Sequence, residues 1–141
     1  MPSRDWDHEI DVWTERFRGV DDPPEPFATA LRIGWTDEAR AELARDAEAY
    51  LRTHEAWVAQ IQGAGEDLVR FDCRQGSCGV CAKYCGCAYT LTGATEGLPP
   101  PPPFPICPAC RHTLNLLTPF FMDGMGVTMD DLIENTRPFT D

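Results

Sequence analysis

The stretch CRQGSCGVCAKYCGCAYTLTGATEGLPPPPPFPICPACRH, residues 73–112, decides how this chain folds. All seven cysteines of the sequence lie within it, and it ends in a histidine, His112. Thiolates are the ligands that soft metal ions prefer. An odd number of cysteines also fits thiol or metal chemistry better than a closed set of disulfides. We therefore predict that this stretch is a metal-binding module.

Two C-x2-C pairs, Cys78/Cys81 and Cys107/Cys110, are separated by 25 residues. Within each pair, two intervening residues can turn the chain so that both sulfur atoms face one point. Two such turns supply four thiolates in a tetrahedron, which suits zinc. The pairs resemble the knuckles of the zinc-ribbon and treble-clef families, whose second knuckle is often C-P-x-C, as it is here. The resemblance implies a structural zinc ion that stabilises a module too small to fold alone.

Three cysteines and one histidine remain outside these pairs: Cys73, Cys85, Cys87 and His112. Together with the first four they make eight ligands, which is enough for two tetrahedral sites. A second zinc ion held by these four residues is therefore a hypothesis that depends on this count alone.

Residues 73–81, CRQGSCGVC, also resemble the cluster loop of plant-type [2Fe-2S] ferredoxins, whose spacing is C-x4-C-x2-C. Glycines in such a loop let backbone N–H groups approach the cluster. The resemblance implies that Cys73, Cys78 and Cys81 are cluster ligands, with Cys107 or Cys110 as the fourth. The family's β-grasp fold has a hairpin before the loop, whereas this chain has a long helical pattern there. Zinc and an iron–sulfur cluster both remain open at this point.

Catalysis finds little support in the sequence. Cys107 and Cys110 form a C-x-x-C pair, but the βαβ context of dithiol oxidoreductases is missing. The three histidines are scattered, and neither a phosphate-binding loop nor a dinucleotide fingerprint is present. We identify no catalytic residues and favour a non-enzymatic protein.

The overall charge excludes several classes of partner. The chain has 141 residues, with 23 acidic and 12 basic side chains and a net charge of −11. Binding to nucleic acid or anionic lipid requires lysine and arginine, so both are disfavoured. No apolar run approaches the roughly 20 residues of a membrane helix, and the N-terminus does not resemble a signal peptide. We expect a cytoplasmic protein whose acidic surface is solvated or faces a basic protein.

Aromatic residues dominate the N-terminal region. Trp6, Ile10, Trp13 and Phe17 recur every three or four residues, which predicts one face of a short helix. This face either packs on the rest of the chain or docks in a groove of a partner. After a proline-rich linker, every second residue from Phe27 to Trp35 alternates with a small or polar residue, which predicts a short strand or an extended arm. The candidate partner-binding residues are Trp6, Trp13, Phe17 and Phe27.

A long amphipathic helix is predicted over residues 37–62. Thr36 can cap its start, and Gly63 and Gly65 can end it. His54 lies within the apolar stripe of this helix, where a histidine is more often a packed residue than a ligand.

Shorter elements follow. Residues 68–71 and 88–92 are typical of strands, and the proline run at residues 99–103 serves as a spacer or as a polyproline ligand. The apolar segment after Cys110 fits either a helix or a strand. Residues 123–126 are typical of a turn.

A last short helix is capped by Thr128, with Asp131 at its third position.

The sequence thus predicts a small α+β protein stabilised by metal, with one long helix and extended arms. The segments are an N-terminal arm (1–35), the long helix (36–65), the cysteine-rich module (66–118) and a C-terminal tail (119–141). The first functional hypothesis is a zinc-stabilised adaptor or subunit that contacts proteins through its aromatic side chains, including Phe120 and Phe121. The alternative is an iron–sulfur electron-transfer subunit.

Overall fold

The chain forms a small mixed α+β fold, as the sequence predicts. The computed structural model describes residues 4–73 and 78–140, apart from the side chain of Val80. Its elements, in chain order, are α1 (Trp6–Phe17), α2 (Phe27–Ile33), α3 (Asp37–Gly63), β1 (Leu68–Cys73), α4 (Gly79–Ala82), β2 (Ala88–Thr90), β3 (His112–Leu116), α5 (Pro119–Met125) and α6 (Met129–Asn135).

The three strands form one antiparallel sheet in the order β2-β1-β3. The central strand, β1, ends at Cys73, which lies opposite His112 of β3. The strands predicted over residues 68–71 and 88–92 are confirmed as β1 and β2. The segment after Cys110, which the sequence leaves undecided, begins with β3. This pairing brings the two ends of the cysteine-rich stretch side by side.

The long helix α3 confirms the prediction for residues 37–62 and extends one residue further. The Thr36 hydroxyl accepts a hydrogen bond from a first-turn N–H at 3.0 Å, which satisfies a donor that the helix itself leaves unpaired. On the outer face, Glu48 and Arg52 form an ion pair at 3.0 Å, one turn apart.

The same helix covers the open edge of β3. The ring Nε2 of His54 donates to the carbonyl oxygen of His112 at 2.8 Å, and the indole Nε1 of Trp57 donates to that of Leu114 at 2.7 Å. Peptide groups two residues apart in a strand point the same way, so one turn of α3 can satisfy both carbonyls. These two hydrogen bonds fix the helix against the sheet, and His54 is a packed residue as expected.

The aromatic stripe of α1 lies inside the protein. Ile10 and Phe17 are fully buried, and the exposed fractions of Trp6 and Trp13 are only 8% and 5%. The ring of Phe17 lies 4.9 Å from that of Phe27, which is also fully buried. Of the two alternatives for this stripe, the structure shows packing on the rest of the chain. The four candidate partner-binding side chains are core residues in this conformation.

Residues 27–33 form a helix, so the prediction of a strand or extended arm over residues 27–35 is wrong. Phe27 and Ala30 are buried and Leu31 packs beside them, which is the three- and four-residue spacing of a helix. Ile33, which belongs to the alternating pattern, is 72% exposed. The two-residue pattern was too short to distinguish a strand from a single helical face.

The C-terminal region is more helical than its sequence indicates. Pro119 begins α5, because proline is tolerated at the first helical position. The Thr118 hydroxyl caps this helix. The turn predicted over residues 123–126 is wrong for its first part, since α5 continues to Met125 and ends at Gly126 in a left-handed conformation, with φ 69°.

The last helix, α6, begins with the predicted capping box. Thr128 and Asp131 exchange hydrogen bonds between side chain and backbone. α6 packs closely on the loop before the proline run. A Cβ atom placed on Gly97 would lie 2.9 Å from Cδ1 of Ile133, and Gly97 itself has a φ of +87°. Only glycine fits this position without strain.

The proline-rich span, residues 99–105, connects the sheet to the second cysteine pair. The Thr90 N–H donates to the Pro99 carbonyl at 3.0 Å. At the other end, the Phe104 ring stacks on His54 at a centroid distance of 4.0 Å and lies 5.2 Å from Phe71. These contacts place Cys107 next to the sheet.

Asp67 fixes the loop after β2. Its carboxylate accepts hydrogen bonds from the hydroxyls of Thr90, Thr92 and Thr95 and from two backbone N–H groups. Burial by itself would raise the pKa of Asp67, but these hydrogen bonds together hold it well below the usual range. The charged carboxylate is therefore the form that the fold stabilises.

Candidate metal centre

The first cysteine pair lies at the start of α4. Cys78 precedes the helix and Cys81 lies within it, so the chain turns between the two residues. The Cys81 N–H donates to the Cys78 carbonyl at 3.1 Å, which closes the turn. The two sulfur atoms consequently lie 3.3 Å apart.

The second cysteine pair lies later in the chain, beyond the proline-rich span. Cys107 follows the proline-rich span and Cys110 lies two residues before β3. Here too the backbone turns, because the Cys110 N–H donates to the Cys107 carbonyl at 3.3 Å. The Cys78 N–H donates to the Cys110 sulfur at 3.4 Å and so connects the two pairs directly.

The two pairs meet in one site. All four sulfur atoms, those of Cys78, Cys81, Cys107 and Cys110, lie within 4.8 Å of one another. Zn–S bonds of ~2.3 Å imply a tetrahedron with edges of about 3.8 Å, so the cavity between the sulfur atoms has the size of a single ion. The predicted convergence of these four cysteines is confirmed, and the group can hold a metal ion.

Water has little access to this site. The exposed fractions of Cys78 and Cys110 are 3% and 2%, and Cys81 and Cys107 are fully buried. Hydrogen bonds from Cys107, Cys78 and Cys81 lower the pKa of Cys110. Hydrogen bonds with Cys107, Cys110 and Cys78, together with burial, raise the pKa of Cys81. Four adjacent thiols thus cannot all ionise by themselves, whereas a divalent cation between them would bind all four as thiolates.

The structure does not bring the second predicted set of ligands together. Cys73 and Cys85 form a disulfide, with their Cα atoms 5.4 Å apart. Cys87 is a buried free thiol whose sulfur lies 3.7 Å from the carbonyl oxygen of Asn135. His112 is fully buried, with its ring 4.7 Å from that of Phe71. Within residues 4–73 and 78–140, the four-cysteine group is the one cluster of metal-ligand side chains.

The structure also places the cysteines implied by the ferredoxin resemblance in two different groups. The first of these cysteines, Cys73, is bonded to Cys85, whereas Cys78 and Cys81 belong to the four-cysteine group. The loop between Cys73 and Cys78 lies outside the described residues. A two-iron cluster places its ligands on two ions, so some sulfur pairs must stand further apart than the edges of one tetrahedron. The spacing seen here fits one ion.

Sequence reasoning missed the disulfide. Seven cysteines offer many possible pairs, and neither Cys73 nor Cys85 has a spacing that selects the other. The pairing follows from the register of β1 and from the turn after α4, both of which are tertiary features.

Comparisons with protein-family models, curated proteins and solved structures found no significant match to this chain. Among the described helices, none combines the length and apolar character that crossing a bilayer requires.

Proposed function

We propose that the chain is a zinc-binding structural module in which one Zn²⁺ is held by Cys78, Cys81, Cys107 and Cys110. The observation that carries this proposal is the convergence of four buried sulfur atoms within 4.8 Å. Four sulfur ligands in a tetrahedron are typical of zinc or iron, whereas magnesium, calcium and manganese prefer oxygen ligands.

The closed ligand set supports a structural role for the ion. Catalytic zinc sites keep one position open for water or substrate, whereas structural sites take all four ligands from the protein. Each of the four cysteines is at most 3% exposed, so a bound ion would be shielded from substrate. The ion is therefore proposed to stabilise the fold rather than to catalyse a reaction.

The position of the site explains why the fold needs an ion. All four cysteines belong to the main core, in which Tyr84 and Ile106 also pack. Structural zinc contributes about 10–16 kcal/mol of binding free energy, which is available only to the folded chain. This is comparable to the whole net stability of most domains, which is about 5–15 kcal/mol. Without the ion, the cysteine-rich part of the core would hold unpaired thiols instead of metal bonds.

The adaptor part of the proposal is supported by the surface of α5. Phe120 is 89% exposed and Phe121 is 40% exposed, which is unusual for two adjacent aromatic residues. Residues 119–135 also contain four acidic side chains and no basic one. A protein partner with apolar and basic side chains fits such a surface better than an anionic partner does.

The proposal is tested by elemental analysis of the purified chain, combined with one pair of variants. We expect one zinc ion per chain and a colourless protein. Cys110→Ser should lose the metal and the cooperative unfolding transition. Cys87→Ser removes another buried cysteine that lies outside the site, so it should retain the metal.

Two outcomes contradict the proposal. If Cys110→Ser binds metal and melts like the parent, the four-thiolate site is wrong. If the protein carries iron and visible charge-transfer bands that dithionite bleaches, the site serves electron transfer and the alternative function holds.

A further inference from the structure

We infer that the Cys73–Cys85 pair is a thiol–disulfide switch that controls how tightly the four-cysteine site retains its metal. This inference rests on the proposed function, because it assigns regulation to the same site.

The disulfide encloses the first ligand pair. It joins residues 12 positions apart, and both Cys78 and Cys81 lie between them. Cys85 lies four residues after Cys81, in the turn that follows α4, and its sulfur lies 4.0 Å from the Cys81 carbonyl oxygen. The covalent bond therefore closes a small ring around half of the metal site.

The same bond connects that ring to the second ligand pair. Cys73 is the last residue of β1 and lies opposite His112 in the sheet. His112 follows the ligand Cys110 by two residues. When the disulfide is closed, the turn carrying Cys81 is tied to the strand beside Cys110. When it is open, the peptide chain, the hydrogen bonds, the packing and the proposed metal ion hold the two halves together without this cross-link.

The two cysteines of the switch are more accessible to solvent than the four ligand cysteines. Cys73 and Cys85 are half-buried, so small thiols and disulfides can reach them. The four ligand cysteines are at most 3% exposed. Thiol–disulfide exchange requires direct access to sulfur, so the pair reacts before the ligands do.

The reaction is exchange with a low-molecular-mass disulfide such as oxidised glutathione. The Cys73 thiolate attacks one sulfur of that disulfide, forms a mixed disulfide and releases one small thiolate. The Cys85 thiolate then attacks the Cys73 sulfur and releases the second. The protein loses two electrons and two protons, and the small disulfide is reduced to two thiols. Excess small thiol reverses both steps.

The conformational entropy of the unfolded chain sets the size of the expected change in metal affinity. Closing a loop of this length limits the unfolded chain enough to change metal affinity by up to about 100-fold, where binding is coupled to folding. Two hydrogen bonds join the same segments beside the disulfide, from Phe71 N–H to the Cys87 carbonyl at 2.8 Å and from Gly86 N–H to the Phe71 carbonyl at 2.7 Å. A disulfide commonly contributes less than its chain-entropy limit, so we expect a change of about tenfold.

The test measures zinc affinity in both redox states. Zinc-loaded protein is equilibrated without oxygen against a chromophoric zinc chelator, either after oxidation by oxidised glutathione or after reduction by a phosphine. Mass spectrometry after alkylation confirms which cysteines are paired. We expect zinc to bind about tenfold more weakly to the reduced protein.

Two variants make the result specific. Cys73→Ser/Cys85→Ser should match the reduced parent in affinity and should not respond to either treatment. Cys87→Ser keeps the pair and should respond like the parent.

Equal affinities in the two states of the parent, with zinc bound in both, would overturn this inference and leave the structural zinc site intact. A double variant that still responds to oxidation would overturn it as well. Absence of zinc from both states would instead remove the proposed function, and this inference with it.

Discussion

Replacing His54 by phenylalanine tests the contact that holds α3 on the sheet. The imidazole is 6% exposed, and its Nε2 lies 2.8 Å from the carbonyl oxygen of His112. A carbonyl can only accept, so this nitrogen carries the hydrogen. Phenylalanine retains the ring that stacks on Phe104 but cannot donate a hydrogen bond. His54→Phe therefore removes the donor and keeps most of the packing.

The expected loss follows from the burial of the acceptor. His112 is fully buried, so water cannot replace the lost donor. A buried carbonyl without a partner costs about 1–3 kcal/mol. Phenylalanine recovers part of this through its greater hydrophobicity, so we expect the free energy of unfolding to fall by about 1 kcal/mol. With a typical urea dependence, the midpoint shifts down by roughly 0.5 M.

Urea unfolding of the zinc-loaded protein, at constant zinc concentration, measures this change. His8→Phe is the matched control, because His8 is exposed on α1 and the same substitution there should change stability by less than about 0.5 kcal/mol. His54→Gln keeps a side-chain N–H near the position of the lost donor. Its free energy of unfolding should therefore lose less from the missing hydrogen bond than that of His54→Phe. If His54→Phe unfolds at the same urea concentration as the parent, the hydrogen bond does not fix α3 to β3.

Two further substitutions probe the loops around the sheet. Asp67→Asn should lower the free energy of unfolding by about 1–3 kcal/mol at neutral pH, because the threonine hydroxyls then face a neutral acceptor. Since folding lowers the pKa of Asp67, its contribution is fully present above the unfolded pKa of about 4 and is lost as pH falls further. Urea midpoints at several pH values should therefore converge for parent and variant in acid, and a constant difference would contradict the assignment. Gly97→Ala should destabilise by about 1–3 kcal/mol, because its φ is positive and its new Cβ would press on Ile133. Thermal melts compare this variant with Gly63→Ala, where nothing lies within 4 Å and φ is not positive; equal melting temperatures would refute the strain.

Several elements could be predicted because their signals are local. α3 has a long apolar stripe and a capping threonine, Thr36, and both act within a few residues. The capping box of Thr128 and Asp131 is equally local. Each C-x2-C pair needs one turn of chain to align its sulfur atoms. For this reason the convergence of the four cysteines could be predicted although 25 residues separate the pairs.

Other features depend on distant contacts. The pattern of residues 27–35 predicts a strand, whereas residues 27–33 form a helix, because the rings of Phe17 and Trp35 decide which of its side chains are buried. The aromatic side chains of α1 could equally have faced a partner, and it is their packing on α2 and α3 that places them in the core.

By itself, the sequence determined that this is a small α+β chain with one long helix and four cysteines in two turns facing a common point, since short-range geometry dictates each of these. Tertiary structure alone decided that Cys73 bonds to Cys85 and that, among the described residues, Cys87 and His112 do not join a group of metal-ligand side chains. A choice among seven cysteines depends on strand register and on the path of the chain between them. Strand register and the path of the chain are set by the burial of the whole core, so the local spacing of the cysteines does not reveal them.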